Sequence, residues 1–520
     1  MNSPREDIRQ DVMVAKIDVQ HNEEALRETD RQISPLQCLR QNPKIALWTI
    51  YANIGSTLVG FENLALSVCL AMPAFQMTFA SEVNGQLIIP AYWQSVWSAM
   101  YNVMMIFGSF TAGYVQDTLG RRAVFLLASV IAASGIAVSF ISETPAQFLG
   151  GKIITGFSVG LFNTATQTYV SEIAPLPIRG IALSVNTIMM NLGMLIAIAA
   201  SFSRVSIMDK SAFRVVFAAA WTFPAIILAG LPFIPESPTW LVIKNKHEKA
   251  RESLRRLSGP HEDIDARLGQ IIDNVEAERQ LAAEAASFVE CFRGTNWRRT
   301  RIILICFYVP QVTGAVLSSN APYFLNQTGL DSHVVLMLVQ VGIGMGVASA
   351  LVNAFLMMRF RHRPLIFFGV GLCVAMYLVM GVAASLPKTE ATLMAIGVAL
   401  QFTSISYGPA VGASMAVAGE VSASKLRAKS LGIGFAFSSI VSTIWTIILP
   451  YLFNTDELNM GGHIGWIFFV MGILMLLVLY FDVPGTKGRT FEELDIMFEL
   501  GISARRFEKH KLNEGPVDTK

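Results

Sequence analysis

Two ionisable side chains stand inside long apolar runs, where charge is costly and usually marks the handling of an ion or a substrate. One is Glu62, in Val59-Gly60-Phe61-Glu62-Asn63; the other is Lys152, in Gly151-Lys152-Ile153-Ile154-Thr155. A carboxylate held against a cation stays ionised, and one parted from it in an apolar site tends to take up a proton. A pair of this kind can therefore couple a proton to a change of shape. Two plainer readings stand beside it: a static buried ion pair, or a Lys152 that snorkels to the interface while Glu62 faces an aqueous path. Depth favours contact. Lys152 precedes the polar helix end at Glu172 by twenty residues, ~30 Å of helix, and Glu62 lies about 15 residues into its own run, ~22 Å.

The elements that must carry these groups follow from charge distribution. The chain has 520 residues, 53% apolar and only 15% charged, with a mean hydropathy of +0.48. Soluble proteins carry about 25% charged residues. So apolar a chain is not disordered, and 40 basic against 38 acidic residues gives no global attraction to nucleic acid. Residues 45–236 and 301–483 hold fourteen charges each, whereas the 64 residues of 237–300 hold twenty-one. The expected organisation is a polar tail (1–44), an apolar half (45–236), a charged helical linker (237–300), a second apolar half (301–483) and a polar tail (484–520). Each half divides into six stretches long enough to span a bilayer, which needs ~20 residues. They are roughly 47–72, 92–115, 123–142, 147–170, 183–203 and 215–235, then 302–325, 334–357, 364–386, 391–416, 431–452 and 463–483.

Twelve crossings with both termini in the cytoplasm place 35 of the 40 basic residues on the cytoplasmic side, as the positive-inside rule requires. The first 44 residues lack the apolar core of a secretory signal. Five cysteines make no disulfide framework. The sequon Asn326-Gln327-Thr328 falls at an outer helix end, where glycosylation close to the bilayer competes with a plain helix-end loop. In the linker, Ala250, Leu254 and Leu257, and then Ile264, Leu268, Ile271, Ile272 and Val275, recur at helical spacing.

Short motifs suggest how the helices are latched. Gly113-Tyr-Val-Gln-Asp117-Thr-Leu-Gly120-Arg121-Arg122 places an acid, a tight turn and two cations in one short loop. Glu172 is followed seven residues later by Arg179, and Glu420 by Arg427, each at the cytoplasmic end of the fourth stretch of its half. Arg361-His362-Arg363 is a degenerate echo of Gly120-Arg121-Arg122. Topology and weak surface pairing explain isolated cases; repetition in both halves favours a network.

The loop resembles the signature of the major facilitator superfamily. Three further segments resemble its sugar-porter branch: Tyr169 to Gly180, Pro235-Glu236-Ser237-Pro238-Thr239-Trp240-Leu241, and Pro484-Gly485-Thr486-Lys487-Gly488-Arg489-Thr490. Cys291 to Thr300 and Phe491-Glu492-Glu493-Leu494-Asp495 are similar to segments of fungal maltose/α-glucoside permeases, which are proton symporters. The resemblance spans roughly residues 40–510.

It implies an all-α membrane protein with the major facilitator fold, moving a sugar by alternating access with Glu62 and Lys152 coupling a proton. It implies a cytoplasmic charge network of Gly113, Asp117, Gly120, Arg121, Arg122, Glu172, Arg179, Glu236, Arg363, Glu420 and Arg427. This chain departs from the family at both coupling positions, where sugar porters typically have aspartate and many have arginine. Candidate sugar contacts are Asn186 and Thr187 on the fifth stretch, Gln311, Asn320 and Tyr323 on the seventh, Ser404 and Tyr407 on the tenth, and Trp445 on the eleventh. The expected partners are a small sugar, the proton and the lipid bilayer, in a monomer of the plasma membrane. No cofactor, metal or enzymatic chemistry is expected, since no metal cluster, nucleotide loop or nucleophile constellation is present. Alternatives are transport of another polyhydroxy compound, metabolite export, or a non-transporting sugar sensor; the short tails disfavour the sensor.

Overall fold

A computed structural model describes residues 40, 42–83, 86–259, 263–283, 288–423, 426–487, 489 and 491–507. The expected cytoplasmic tails, up to residue 39 and beyond 507, lie outside the described residues.

The structure is a helix bundle. Its first group of helices comprises α1 (Pro43–Ala52), α2 (Ile54–Leu70), α3 (Pro73–Phe79), α4 (Ala91–Leu119), α5 (Arg121–Ile141), α6 (Pro145–Ile173), α7 (Leu176–Phe202), α8 (Ser211–Ala220) and α9 (Thr222–Gly230). Three helices follow in the charged region: α10 (Pro238–Ile243), α11 (His247–Leu257) and α12 (Ile264–Ala283). The second group comprises α13 (Gly294–Val312), α14 (Ala315–Ser319), α15 (Ala321–Thr328), α16 (Ser332–Arg359), α17 (His362–Ser385), α18 (Glu390–Tyr407), α19 (Ala413–Val421), α20 (Arg427–Phe453) and α21 (Ile464–Asp482). A last helix, α22, spans Phe491–Glu499. Between α3 and α4 a hairpin pairs β1 (Ser81–Val83) antiparallel with β2 (Gln86–Ile88), an element the hydropathy pattern does not signal.

Ten described helical segments are long and apolar enough to cross a membrane. The expected twelve include two more, α4 and α6, each of 29 residues. Both have ample length but are more polar, with Gln94, Ser95, Ser98, Asn102 and Ser109 on α4 and Lys152, Thr155, Ser158, Asn163 and Thr166 on α6. A helix surrounded by other helices can carry polar groups that a lipid-facing one cannot.

Within the first group, α6 packs on α4 and α5, and α2 on α7. Small residues make the approach possible. A Cβ on Gly60 would lie 1.8 Å from the Met190 carbonyl oxygen, and one on Gly193 would lie 1.9 Å from that of Thr57. The α2–α7 crossing is thus closed from both sides by residues without side chains. In the second group, α17 packs on α18 and α21, and α16 on α18.

Two helices of the second group are broken. Gly314, at φ +77°, ends α13 and turns the chain into α14; the Tyr377 hydroxyl donates to the Thr313 carbonyl there (3.0 Å). Gly408-Pro409 opens a π-helical turn between α18 and α19. Proline removes a backbone donor, which loosens the helical ladder at such a point. In the charged region α11 buries Ala250, Leu254 and Leu257, as their spacing predicts, and α12 buries Val275.

Candidate functional site

The deepest charges lie together. Lys152 of α6 donates from Nζ to Glu62 Oε2 of α2 at 2.8 Å, and each side chain is 2% exposed. The rings of Phe148, Phe217 and Tyr101 surround the ammonium, with centroids 5.5, 5.7 and 5.8 Å from Nζ. A cation over aromatic faces gains electrostatically, more so when desolvated. The cage holds a lysine where a guanidinium would need a planar, multiply hydrogen-bonded seat.

The pair opens onto a cavity of about 300 Å³ between the two helix groups. The first group contributes Val59, Glu62, Asn63, Leu66 and Ser67 from α2, Ser98, Tyr101, Asn102 and Met105 from α4, Lys152 and Asn163 from α6, and Met190 from α7. The second contributes Ala315, Val316 and Ser319 from α14, then Asn320, and Ser442 and Thr446 from α20. Four amides and six hydroxyls thus line one chamber beside an ion pair. Asn102 Nδ2 reaches Thr446 Oγ1 across it at 3.4 Å, a long bond that joins the groups. The broken helix α13–α14–α15 brings Ala315 to Asn320 to the wall, so the helix break serves the cavity.

The eight residues expected to contact a ligand are dispersed. Asn320 lines the cavity and donates to the Val316 carbonyl (2.9 Å). Asn186 instead donates to Ser56 Oγ at 2.7 Å, a bond between α7 and α2. Thr187 is exposed. Gln311 is buried against the Ser438 carbonyl, Ser404 is half-buried and Tyr407 is exposed. The Trp445 ring packs on Phe468, centroids 5.2 Å apart. Tyr323 is buried, and its hydroxyl donates to Asn454 Oδ1 at 2.7 Å. The residues missed are Asn63, Asn102 and Asn163, each a bare amide inside an apolar run. That signal was available on α2, α4 and α6.

One end of the bundle carries the expected latches. Arg121 donates Nε to Glu172 Oε2 (2.9 Å), NH2 to Glu172 Oε1 (2.6 Å) and NH1 to the Gln116 carbonyl at the end of α4 (2.8 Å). Glu236 accepts the backbone N–H groups of Arg121 (2.9 Å) and Arg122 (3.3 Å), an acid at a helix N-terminus. Gly120 turns at φ +96°, and a Cβ there would lie 2.6 Å from the Glu236 carboxylate. Arg122 donates to the Leu231 carbonyl (3.0 Å). The Asp117 side chain is exposed and makes no ion pair among the described residues; its carbonyl accepts the Trp240 indole N–H (3.1 Å). Gly113 lies one turn earlier on α4, and Arg179 is exposed in the first turn of α7.

In the second group the network residues make the following contacts. Glu420 Oε1 lies 3.3 Å from His362 Nε2. Arg363 instead donates to the Tyr480 carbonyl at 2.8 Å, and Arg427 donates Nε to Ser422 Oγ at 3.2 Å.

At the opposite end the helix groups are tied to one another. Gln94 of α4 donates to the Tyr323 hydroxyl oxygen (3.2 Å) and to Asn454 Oδ1 (3.3 Å). Ser95 donates to the Ile447 carbonyl (2.8 Å), and Asn454 to the Ile89 carbonyl (3.0 Å). Ser67 accepts the Tyr323 backbone N–H (3.2 Å). Near the same end, Asn326 donates its amide to Ser332 Oγ at 2.9 Å.

Comparison with known proteins agrees with this architecture. The family model for sugar (and other) transporters matches residues 48–498. The chain is 27% identical over 512 residues to the MFS transporter fmqE of Aspergillus fumigatus, covering 94% of each chain. It is also 27% identical over 487 residues to the general alpha-glucoside permease of Saccharomyces cerevisiae, covering 92% of this chain and 79% of the relative. Among solved structures, the inward-open xylose transporter XylE of E. coli matches with a TM-score of 0.68. The match covers 87% of this chain and 99% of that one, at 21% identity, a likeness of fold.

Proposed function

This chain belongs to the sugar (and other) transporter family of the major facilitator superfamily, and from that premise we propose that it is a proton-coupled sugar symporter for maltose or a related α-glucoside. The observation that carries the proposal is the Glu62–Lys152 pair on the wall of a polar chamber between two helix groups. A polyhydroxy ligand needs many donors and acceptors, which the amides of Asn63, Asn102, Asn163 and Asn320 supply. A ligand hydroxyl placed between Asn102 and Thr446 replaces their long mutual bond and touches both groups at once. The similarity to an alpha-glucoside permease supports the substrate class.

The reading includes twelve crossings, with α4 and α6 as the two more polar ones and both termini cytoplasmic. Two six-helix halves (45–236 and 301–483) rock about the chamber, joined by the 237–300 linker. The chain acts as a monomer in the plasma membrane. The Arg121–Glu172 end is cytoplasmic, so the tied end is the outer one, and the state described is closed to the outside. Protonation of Glu62 removes the charge that holds Lys152, so occupancy of the carboxyl by a proton and the position of α2 against α6 are linked. Asn186, Thr187, Gln311, Tyr323, Ser404, Tyr407 and Trp445 lie off the chamber in this state, and a role in binding requires the other state.

The test is uptake of labelled maltose in a cell lacking its own maltose and hexose carriers. Wild type is expected to accumulate maltose against its gradient, and Glu62→Gln only to equilibrate it. Undiminished accumulation in Glu62→Gln would remove Glu62 as the coupling acid. No α-glucoside entry despite surface expression would remove the substrate class. The second reading is export of a metabolite, since the chain is as similar to an MFS transporter of Aspergillus, whose name specifies neither a sugar nor a direction, as it is to the permease. Outward movement of label from loaded cells would distinguish it.

A further inference from the structure

The two latches occupy matching places in the two helix groups, and their chemistry differs. Arg121 is the first residue of α5 and His362 the first of α17. Each follows a connection of one or two residues from the preceding helix. Each faces a glutamate near the end of a helix, Glu172 and Glu420, and each glutamate lies seven residues before an arginine. Each is followed by an arginine that donates to a carbonyl near the end of a later helix of its group, Leu231 for Arg122 and Tyr480 for Arg363.

Arg121 performs two tasks, holding both oxygens of Glu172 and capping the end of α4 through the Gln116 carbonyl. In the second group the tasks are divided. Lys487 caps the end of α16, donating Nζ to the carbonyls of Met357 (2.6 Å), Met358 (2.8 Å) and Phe360 (2.9 Å). His362 faces Glu420. A guanidinium keeps its charge at any physiological pH. Imidazole is the side chain whose charge changes between about pH 5 and 8.

We propose that His362 is the positioning residue of a proton-sensitive gate, the counterpart of Arg121 whose grip on Glu420 tightens when the imidazole is protonated. The proposal rests on the transport reading for its functional consequence, and on the packing alone for its physical one. His362 is 8% exposed and Glu420 33%. His362 Nδ1 is buried without a hydrogen-bond partner, while Thr486 and the charge of Lys487 act on Glu420 beside the imidazole. The charged groups around it are Glu420 from α19, Lys487 and Thr486 from the segment after α21, and Arg361 and Arg363 flanking it on the chain. Lys487 and Arg363 are turned to carbonyls, which leaves Glu420 as the group that the imidazole meets directly. Neutral imidazole offers Glu420 one hydrogen bond. Imidazolium adds a full charge to that bond and frees Nδ1–H as a second donor.

Two measurements test this on the purified full chain. The first is thermal midpoint in detergent at about pH 5.5 and about pH 8. Acid is expected to raise the midpoint of wild type more than that of His362→Gln, with His362→Arg held at the acid level throughout. The second is substrate exchange in liposomes at equal pH on both sides, which needs no net proton flow. Exchange by wild type is expected to slow roughly five-fold at the acid pH, about 1 kcal/mol of added barrier at 1.36 kcal/mol per tenfold. His362→Arg should be slow at both pH values, and His362→Gln fast at both. Identical pH profiles in wild type and both variants overturn the proposal. Should His362→Arg fail to fold, Glu420→Gln must erase the same pH step. Absence of exchange by every form would count against the transport reading, and the thermal midpoints would still decide the role of His362.

Discussion

At one end of the bundle the ties are made by carboxylates and stay within a helix group: the Arg121–Glu172 ion pair, and the contact of His362 with Glu420. At the other end the ties between groups are mostly neutral: Gln94 to Asn454 and Tyr323, Ser95 to the Ile447 carbonyl, Tyr323 N–H to Ser67, with one carboxylate, Asp456, accepting the Ala91 N–H (3.1 Å). A buried charge pair is costly to break, because each partner is left charged in an apolar place. A neutral hydrogen bond contributes only ~1 kcal/mol net. The permanently charged Arg121–Glu172 tie thus suits a contact that persists through a conformational cycle and keeps its group rigid, whereas the hold of His362 on Glu420 depends on a proton. The neutral ties suit contacts that form and dissolve, since several weak bonds can part in sequence. The Glu62–Lys152 pair stands between these cases. It is ionic and buried, yet it faces the chamber where the two groups meet.

The comparison breaks first if the ionic end chooses the state. Arg121→Ala leaves Glu172 without its bidentate partner. It is expected to cost ~3 kcal/mol of stability, seen as a lower thermal midpoint, with no change in which side of the chamber is open. A changed sidedness, read by labelling a cysteine placed at Ser319 from each face of a liposome, would overturn the division. Next comes Asn454→Ala, which removes the acceptor of Tyr323 and Gln94. It is expected to shift the open-state equilibrium by ~2 kcal/mol in the same labelling assay, with little loss of thermal stability. Ser95→Ala removes one tie, so about 1 kcal/mol of the same shift is expected.

The smallest effect belongs to Glu143, in the loop between α5 and α6. Its carboxyl sits below the usual range because Lys210 donates a hydrogen bond to it (3.1 Å) and then because of the Lys210 charge. A lowered carboxyl value adds stability above the unfolded value and loses it as pH falls through the folded one. Between about pH 5 and 8 the contribution is therefore constant, and Glu143→Gln should leave the pH profile of stability unchanged there. The partners are 48% and 60% exposed, so solvent screens the pair.

Much of this arrangement is legible without coordinates. Apolar runs near 123–142 and 364–386 correspond to α5 and α17 within two residues at each end, because the cost of exposing backbone to lipid makes a long apolar run a helix. Glu62 and Lys152 could be picked out for a related reason: a charge in such a run needs a partner, and few were available. Gly120, Arg121, Glu172 and Glu236 were readable as a turn with charged groups gathered at it, and they meet. Arg363 was not readable in this way. Its place beside Arg361 and His362 says that one of the three meets Glu420. Which one depends on the phase at which α17 starts.

The chamber wall shows the same limit. Asn186 and Asn102 are both amides in apolar helices, and both were available to a reader of the chain. Asn186 turns to Ser56 within its own helix group, and Asn102 turns across the cavity to Thr446. Helical period alone does not distinguish a face that meets a sister helix from one that meets the other group. Composition, charge asymmetry and the placement of two buried charges determined a two-halved, many-helix membrane protein with a candidate ion pair, since those features follow from the solvent each residue can tolerate, and the motifs' resemblance to a transporter family added transport. Tertiary structure decided which amides share the ion pair's chamber, and that a histidine holds Glu420, since both depend on the rotation of one helix against another.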